Sequence, residues 1–325
     1  MASILITGGT GFIGAHLVRA CLARGDRVTV LARAGSSLAR LDDVRPQIAL
    51  LHADFANVGS VRQALQVAKA DVIFHLGATT RYVAQDDLRD AAQSLEDNLT
   101  PLVTLVAAAC DVPPAVLVRS GTIAEYGDVA VPYDERLREA PRGLYAASMC
   151  AATHYLQSVR ARLPFAAITA RLALTYGPMQ NPDFLIPRLI NACREGDALT
   201  LHRPLDRRDM IHVDDVVAGL LAVADAGDVA PDLVNLGTGQ APTMAQLGRE
   251  VLRACGASLA LLKEKTQTTP ATELIASAAL ARQTLGWSAR ITLEEGLKRT
   301  FEWTRSRATP PRRPRAAQLT QTGAA

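Results

Sequence analysis

One turn near the N-terminus limits the possible folds more than any other feature. The apolar run Ile4-Leu5-Ile6 passes at once into Thr7-Gly8-Gly9-Thr10-Gly11-Phe12-Ile13-Gly14, and then into a helical pattern over 12–24. Each glycine answers a separate demand. Gly8 allows a tight turn after the strand, Gly11 leaves backbone bare enough for an anion to approach, and Gly14 lets helix and strand pack closely. Amide donors and the positive end of the helix dipole then favour a pyrophosphate at this corner.

The same rhythm continues along the chain. Ile4–Thr7, Arg27–Leu31, Ile48–His52, Val72–Leu76, Val116–Arg119 and Ala167–Leu172 read as strands, and segments near 12–24, 58–68, 87–110 and 144–162 as helices. Parallel strands need crossover connections, and these strands are apolar runs rather than alternating patterns, so a parallel sheet covered on both faces is expected. The fold class is therefore α/β, a doubly wound Rossmann-type sheet. After Tyr176 the pattern changes: loops at Gly177-Pro178 and Asn181-Pro182, helices near 184–195, 213–225, 243–255 and 292–304, and a strand at Val234–Leu236. We expect residues 1–175 with 209–240 to form the dinucleotide-binding domain. Segments 176–208 and 241–305 should form a smaller C-terminal substrate lobe. Residues 306–325, with PPRRPR and no apolar periodicity, should be a disordered tail.

Composition excludes several function classes. With 35 basic against 32 acidic residues the net charge is +3, which gives no electrostatic case for nucleic acid. Cys21, Cys110, Cys150, Cys193 and Cys255 show no metal-ligand spacing, so no metal is expected and a reducing, cytoplasmic compartment is. No apolar stretch is long enough to span a bilayer and no signal peptide is apparent, so no membrane partner is expected. Only four lysines occur, Lys69, Lys263, Lys265 and Lys298.

The GxxGxxG spacing resembles the extended short-chain dehydrogenase/reductase family, in its branch acting on nucleotide sugars. Further matches are Asp54, the strand end Phe74-His75-Leu76-Gly77-Ala78, Asn98, Glu125-Tyr126-Gly127, Tyr145-Ala146-Ala147-Ser148, Tyr176-Gly177-Pro178 and the run Arg208 to Asp215. The resemblance covers about residues 3–305. It implies cofactor contacts from Gly8, Gly11, Phe12, Ile13, Gly14, Asp54, Leu76, Ala78, Asn98 and Tyr145. An acidic residue ending the second strand would hold an adenosine ribose and repel a 2′-phosphate. Here Ala32 is followed by Arg33, with Ser36, Ser37 and Arg40 nearby, so NADP(H) is favoured over NAD(H).

In the family a Tyr-x-x-x-Lys pair shares one helical face, with a Ser or Thr after the fifth strand. The tyrosine here is Tyr145, but Met149 stands where the lysine belongs, and no other tyrosine has a lysine four residues on. A lysine ~5–6 Å from the phenol would be worth roughly 3 kcal/mol, or about two pKa units. Without it Tyr145 is a poor base but still a competent acid, which favours ketone reduction over alcohol oxidation. Thr122 is the Ser/Thr equivalent. Sugar 4,6-dehydratases resembling this pattern carry Asp-Glu next, where Ile123 and Ala124 stand here, so that reaction is disfavoured.

For the substrate, Arg208 resembles an arginine that clamps a nucleotide diphosphate, with a surface Arg–Asp pair as the alternative. Leu174 replaces an asparagine that epimerases often use for the same diphosphate. Glu125 and Arg81 are candidates to face the sugar, Glu125 at least equally for a structural ion pair or a helix-end role and Arg81 equally for an exposed loop residue. Asp214-Asp215, at a helix start, reads as a cap. The leading expectation is an NADP(H)-dependent ketoreductase of a nucleotide-diphosphate keto-sugar (4-keto-6-deoxyhexose type). An epimerase with retained cofactor is the second reading and a non-catalytic dinucleotide- or sugar-binding protein the third. The resemblance also implies a homodimer through the helices at 87–110 and 144–162.

Overall fold

The computed structural model describes residues 1–82 and 85–307. The chain begins with alternating strands β1 (Ser3–Thr7), β2 (Arg27–Ala32), β3 (Ala49–His52), β4 (Val72–His75), β5 (Val116–Thr122) and β6 (Ala166–Leu172). The helices between them are α1 (Phe12–Ala23), α2 (Val58–Ala68), α3 (Arg89–Asn98), α4 (Thr100–Asp111) and α5 (Gly143–Val159). Short strands β7 (Leu174–Tyr176), β8 (Leu199–Leu201), β9 (Arg207–Arg208) and β10 (Met210–His212) follow, with α6 (Leu185–Glu195) after β7. Then come α7 (Val213–Ala226), β11 (Leu233–Leu236), α8 (Met244–Cys255), β12 (Leu262–Glu264), β13 (Glu273–Leu274), α9 (Ala279–Leu285) and α10 (Leu293–Arg307).

Seven strands make one parallel sheet in the order β11-β6-β5-β4-β1-β2-β3. Its strands are apolar on both faces because both faces are covered. Ile4 and Ile6 pack into the cluster beneath α1 and α7, whereas Leu5 between them joins the cluster under α2, α4 and α5. From β1 the chain builds outward through β2 to β3 on one side, then crosses back from β3 to β4 on the other side of β1. The crevice beyond the carboxyl ends of β1 and β4 is thus the switch point where doubly wound sheets bind ligands.

The sequence reading needs three corrections here. The helix expected over 87–110 is two helices, broken at Leu99: Pro101 opens α4, where its missing N–H costs nothing, and cannot continue α3. A third cluster, of Tyr176, Ile186, Leu189, Ile190, Leu247, Val251 and Leu297, unites α6, α8 and α10 as the second lobe's core. Part of the segment expected in that lobe returns to the sheet, since Ala276, Ala281 and Trp287 bury into the α1/α7 cluster. Ser306 and Arg307 close α10 rather than starting a tail, and 308–325 lie outside the described residues.

Candidate active site

The glycine turn has the geometry its sequence demands. Gly8 sits at φ +70°, and a Cβ there would lie 2.6 Å from the Gly77 nitrogen; one on Gly14 would lie 2.1 Å from the Gly8 carbonyl oxygen. Gly11 caps α1 with no side-chain hydrogen bond, so the first amides of the helix stay available to an anion. Phe12 and Ile13, half-buried, begin the helix. Beside this turn a cleft runs past Thr7, Ala32, Arg33, His75 and Ala78. A second hollow continues from Arg33 past Asp54, Phe55 and Pro101. Arg33 lines both. The Asp54 carboxylate also accepts from its own turn, at the Ala56 amide (2.9 Å). These residues fit a dinucleotide, with α1 at the pyrophosphate and Arg33 at the end of β2.

Asn98 is engaged by the protein itself. Its amide accepts from the Thr79 nitrogen (2.8 Å) and donates to the Thr79 carbonyl (3.1 Å), to Tyr82 and to Ser148 Oγ (2.9 Å). Ser148 in turn donates to the Tyr145 carbonyl. Asn98 therefore fastens the loop after β4, which carries Leu76 and Ala78, to the first turns of α5.

Thr122 ends β5, and its hydroxyl accepts from the Ala124 amide (3.2 Å), while the Thr122 amide donates to Glu125 Oε1 (2.9 Å). The half-buried Tyr145 lies beside it on α5. Burial pushes the Tyr145 pKa up, the Thr122 hydroxyl and Arg119 pull it down, and Glu125 pushes it up again; the net result is a raised value and a neutral phenol. Met149 is buried one turn further along α5. The site thus offers a protonated phenol and an orienting hydroxyl, which suits protonation of an oxygen atom.

Beneath it lies a cluster absent from the expected site. Arg119 and Arg171 are wholly buried, on the α5 face of β5 and β6. Arg119 donates to the Thr153 hydroxyl (2.8 Å) and the Met149 carbonyl (3.0 Å), and Thr153 donates to Glu125 Oε2 (2.7 Å). Arg171 Nε donates to the same carboxylate oxygen (2.8 Å), its Nη2 to Glu139, and its guanidinium lies over the Tyr126 ring. Burial and Arg119 push the neighbouring His75 pKa down to about 3, so this imidazole is neutral, with Nδ1 2.7 Å from the Thr7 hydroxyl. The signal was present in the sequence, since VLVRSGT and AITARLA each put an arginine into a strand with no wet face.

The structure corrects the expectation that Glu125 faces the substrate: it is fully buried, with both oxygens held by protein donors. Arg208 is bound by Asp206 (2.9 Å) and by Thr272, so its fork is already engaged. Arg81 is exposed and reaches the 181–185 loop, bonding the Asp183 carbonyl and lying over Phe184. Glu139, Cys150 and His154 bring ligand atoms within 4.8 Å of one another. Arg171 already holds that carboxylate and its charge opposes a cation, so the group is read as an ion-pair rim.

The NAD dependent epimerase/dehydratase family matches residues 4–237. The chain belongs to that family of enzymes. It is 27% identical to the dTDP-D-glucose 4,6-dehydratase of Mus musculus over 93% of this chain and 88% of that protein. A dTDP-glucose 4,6-dehydratase structure from Streptomyces venezuelae, with NAD bound, superposes with a TM-score of 0.82 at 26% identity, covering 94% and 97% of the two chains. A UDP-glucose 4-epimerase from Thermotoga maritima shares the fold, with a TM-score of 0.83 at 24% identity over 93% and 98%. The α/β fold and Rossmann-type sheet of the family member are thereby established. Among the described residues no helix is long and apolar enough to cross a membrane.

Proposed function

We propose that this enzyme reduces a keto group on a nucleotide-diphosphate sugar, with NADP(H) as its cofactor. The observation that carries the reading is the pairing of Thr122 with a phenol held neutral, in a site with Met149 where a lysine would help remove the proton. The bound nicotinamide would supply hydride to the carbonyl carbon. Tyr145 would then give its proton to the carbonyl oxygen, which Thr122 orients. Relatives named as 4,6-dehydratases share the fold, but Ile123 is buried and Ala124 carries no proton, so a water-eliminating acid pair is missing at the positions the resemblance assigns to it. Arg33, lining both parts of the cleft, supports the 2′-phosphate cofactor, although NAD is the cofactor bound in the Streptomyces venezuelae structure. A homodimer through the helices of 87–110 (α3 and α4) and 144–162 (α5) belongs to the same reading, with Leu95 exposed on α3.

The test is cofactor consumption by purified protein with dTDP- and UDP-linked 4-keto-6-deoxysugars, beside UDP-glucose and UDP-galactose. Stoichiometric NADPH oxidation with a keto-sugar, reduced by at least about 100-fold in Tyr145→Phe, is the expected result. Interconversion of UDP-glucose and UDP-galactose without net oxidation would replace the reading by epimerisation. Tight dinucleotide binding without turnover of any of these sugars would replace it by a binding role.

A further inference from the structure

Arg119 stands out because an arginine in the middle of a fully covered sheet has no water to satisfy it. Its guanidinium lies 3.0 Å from the Met149 carbonyl and 3.7 Å from the Met149 sulfur, so it fills the space directly behind the side chain at the lysine position. Through Thr153 it joins Glu125, whose other oxygen holds the Thr122 amide. The guanidinium and Thr122 are therefore joined by one hydrogen-bonded chain across β5 and α5, and Tyr145 lies one helical turn before Met149 on the same face of α5.

We propose that Arg119 is the positive charge serving Tyr145, a positioning residue that balances, from the sheet beneath α5, the tyrosinate left when the phenol gives up its proton. The inference rests on Tyr145 as proton donor. In the step, the O–H bond of Tyr145 breaks and a new O–H bond forms on the substrate oxygen, whose negative charge arose from hydride arriving at carbon. The electron pair and charge stay on the phenolic oxygen until solvent returns a proton. A buried tyrosinate without a cation would carry the whole desolvation cost of the charge. Glu125 is the opposing charge on the phenol, from the turn after β5; around Arg119 itself stand Glu125, Arg171 on β6, Cys150 on α5 and His75 on β4. Arg171 holds both carboxylates, Glu125 and Glu139, whereas the direct partners of Arg119 are the uncharged Thr153 hydroxyl and Met149. Arg119 cannot replace the lysine fully. It is buried away from the cleft, and so supplies charge without a hydroxyl contact to a cofactor ribose.

The experiment is a pH titration of the full chain carrying ring-ζ carbon-13 tyrosine, with the Tyr145 resonance assigned by its loss in Tyr145→Phe. Arg119→Gln should move the Tyr145 titration up by about one pH unit or out of the accessible range, since a charge that favours the tyrosinate is removed. Arg119→Lys should leave it near the wild-type position. Because Arg119→Gln leaves Glu125 less well matched and can impair folding, the charge-conserving pair Arg119→Gln/Met149→Lys is made as well, and it should restore the wild-type titration. An unchanged titration in Arg119→Gln, or an upward move in Arg119→Lys or the double variant as large as that of a neutral residue, would overturn the proposal. If Tyr145→Phe keeps full turnover, the proton-donor reading has failed instead, whatever the titrations show.

Discussion

Replacing Glu125 by glutamine probes the buried charge network with the smallest change of shape. Oε1 accepts from the Thr122 amide, and Oε2 accepts from both Thr153 and Arg171, so every partner is a donor. A glutamine can keep its oxygen on only one side. Its NH2 then meets either an amide N–H or a guanidinium, and Arg119 and Arg171 are left with Glu139 as their remaining carboxylate. At the 2.8 Å contact the lost attraction is about 6 kcal/mol for an effective dielectric of 20. Relief of the carboxylate's own burial returns part of it. Broken buried pairs cost about 3–5 kcal/mol. Taking about 3 kcal/mol and about 2 °C per kcal/mol for a chain this long, Glu125→Gln should melt about 6 °C below wild type by differential scanning calorimetry. Glu139→Gln, at the wetter rim of the same cluster, should lose less. If Glu125→Gln melts within 2 °C of wild type, or if Glu139→Gln is the worse variant, the cluster is not the tightly coupled unit described.

Other expectations follow from single features. Gly14→Ala drives a methyl against the Gly8 carbonyl and should weaken dinucleotide binding by about tenfold to hundredfold in calorimetric titration, with the fold retained in far-UV circular dichroism. Arg33→Ala should lower NADPH affinity relative to NADH by about tenfold or more, the worth of a charge-assisted hydrogen bond; an unchanged ratio would refute the cofactor preference. Asp206 is buried, which opposes its charge, but Arg203, Thr272 and Arg208 more than offset this and hold its pKa below the usual carboxylate range. Its folded pKa being depressed, the stabilisation is present above about pH 4 and is lost as pH falls further. The stability gap between wild type and Asp206→Asn in urea should therefore shrink from pH 5 toward pH 2.

What could be read from the sequence divides along physical lines. The glycine turn was legible because a backbone demand is written in the residue itself: nothing else fits where a Cβ would lie 2.1 Å from a carbonyl. The sheet was legible because burial on both faces leaves unbroken apolar runs. Tyr145 and Thr122 came from the family resemblance, and Met149 from the place where that resemblance breaks. The partners of these residues were not legible, since Arg119 meets Met149 and Thr153 across 30 and 34 residues of chain. Glu125 could be read as a sugar-facing acid or as a structural ion pair, because no local pattern says that Arg171 waits on the next strand. For Arg208 the Arg–Asp alternative was open in the sequence, and the structure supplies such a partner in Asp206, two residues away, with Thr272 added from 64 residues away.

The chain enters the second lobe three times. It does so at β7 to α6, again at α8, and finally at α10, returning to the central sheet between visits through α7 and β11 and then through 276–287. The lobe therefore cannot be replaced by exchanging one contiguous cassette with a relative. Any graft needs three splices, and each splice carries a strand or helix that the nucleotide-binding half uses to stay folded. The lobe can be edited, but it cannot be traded whole.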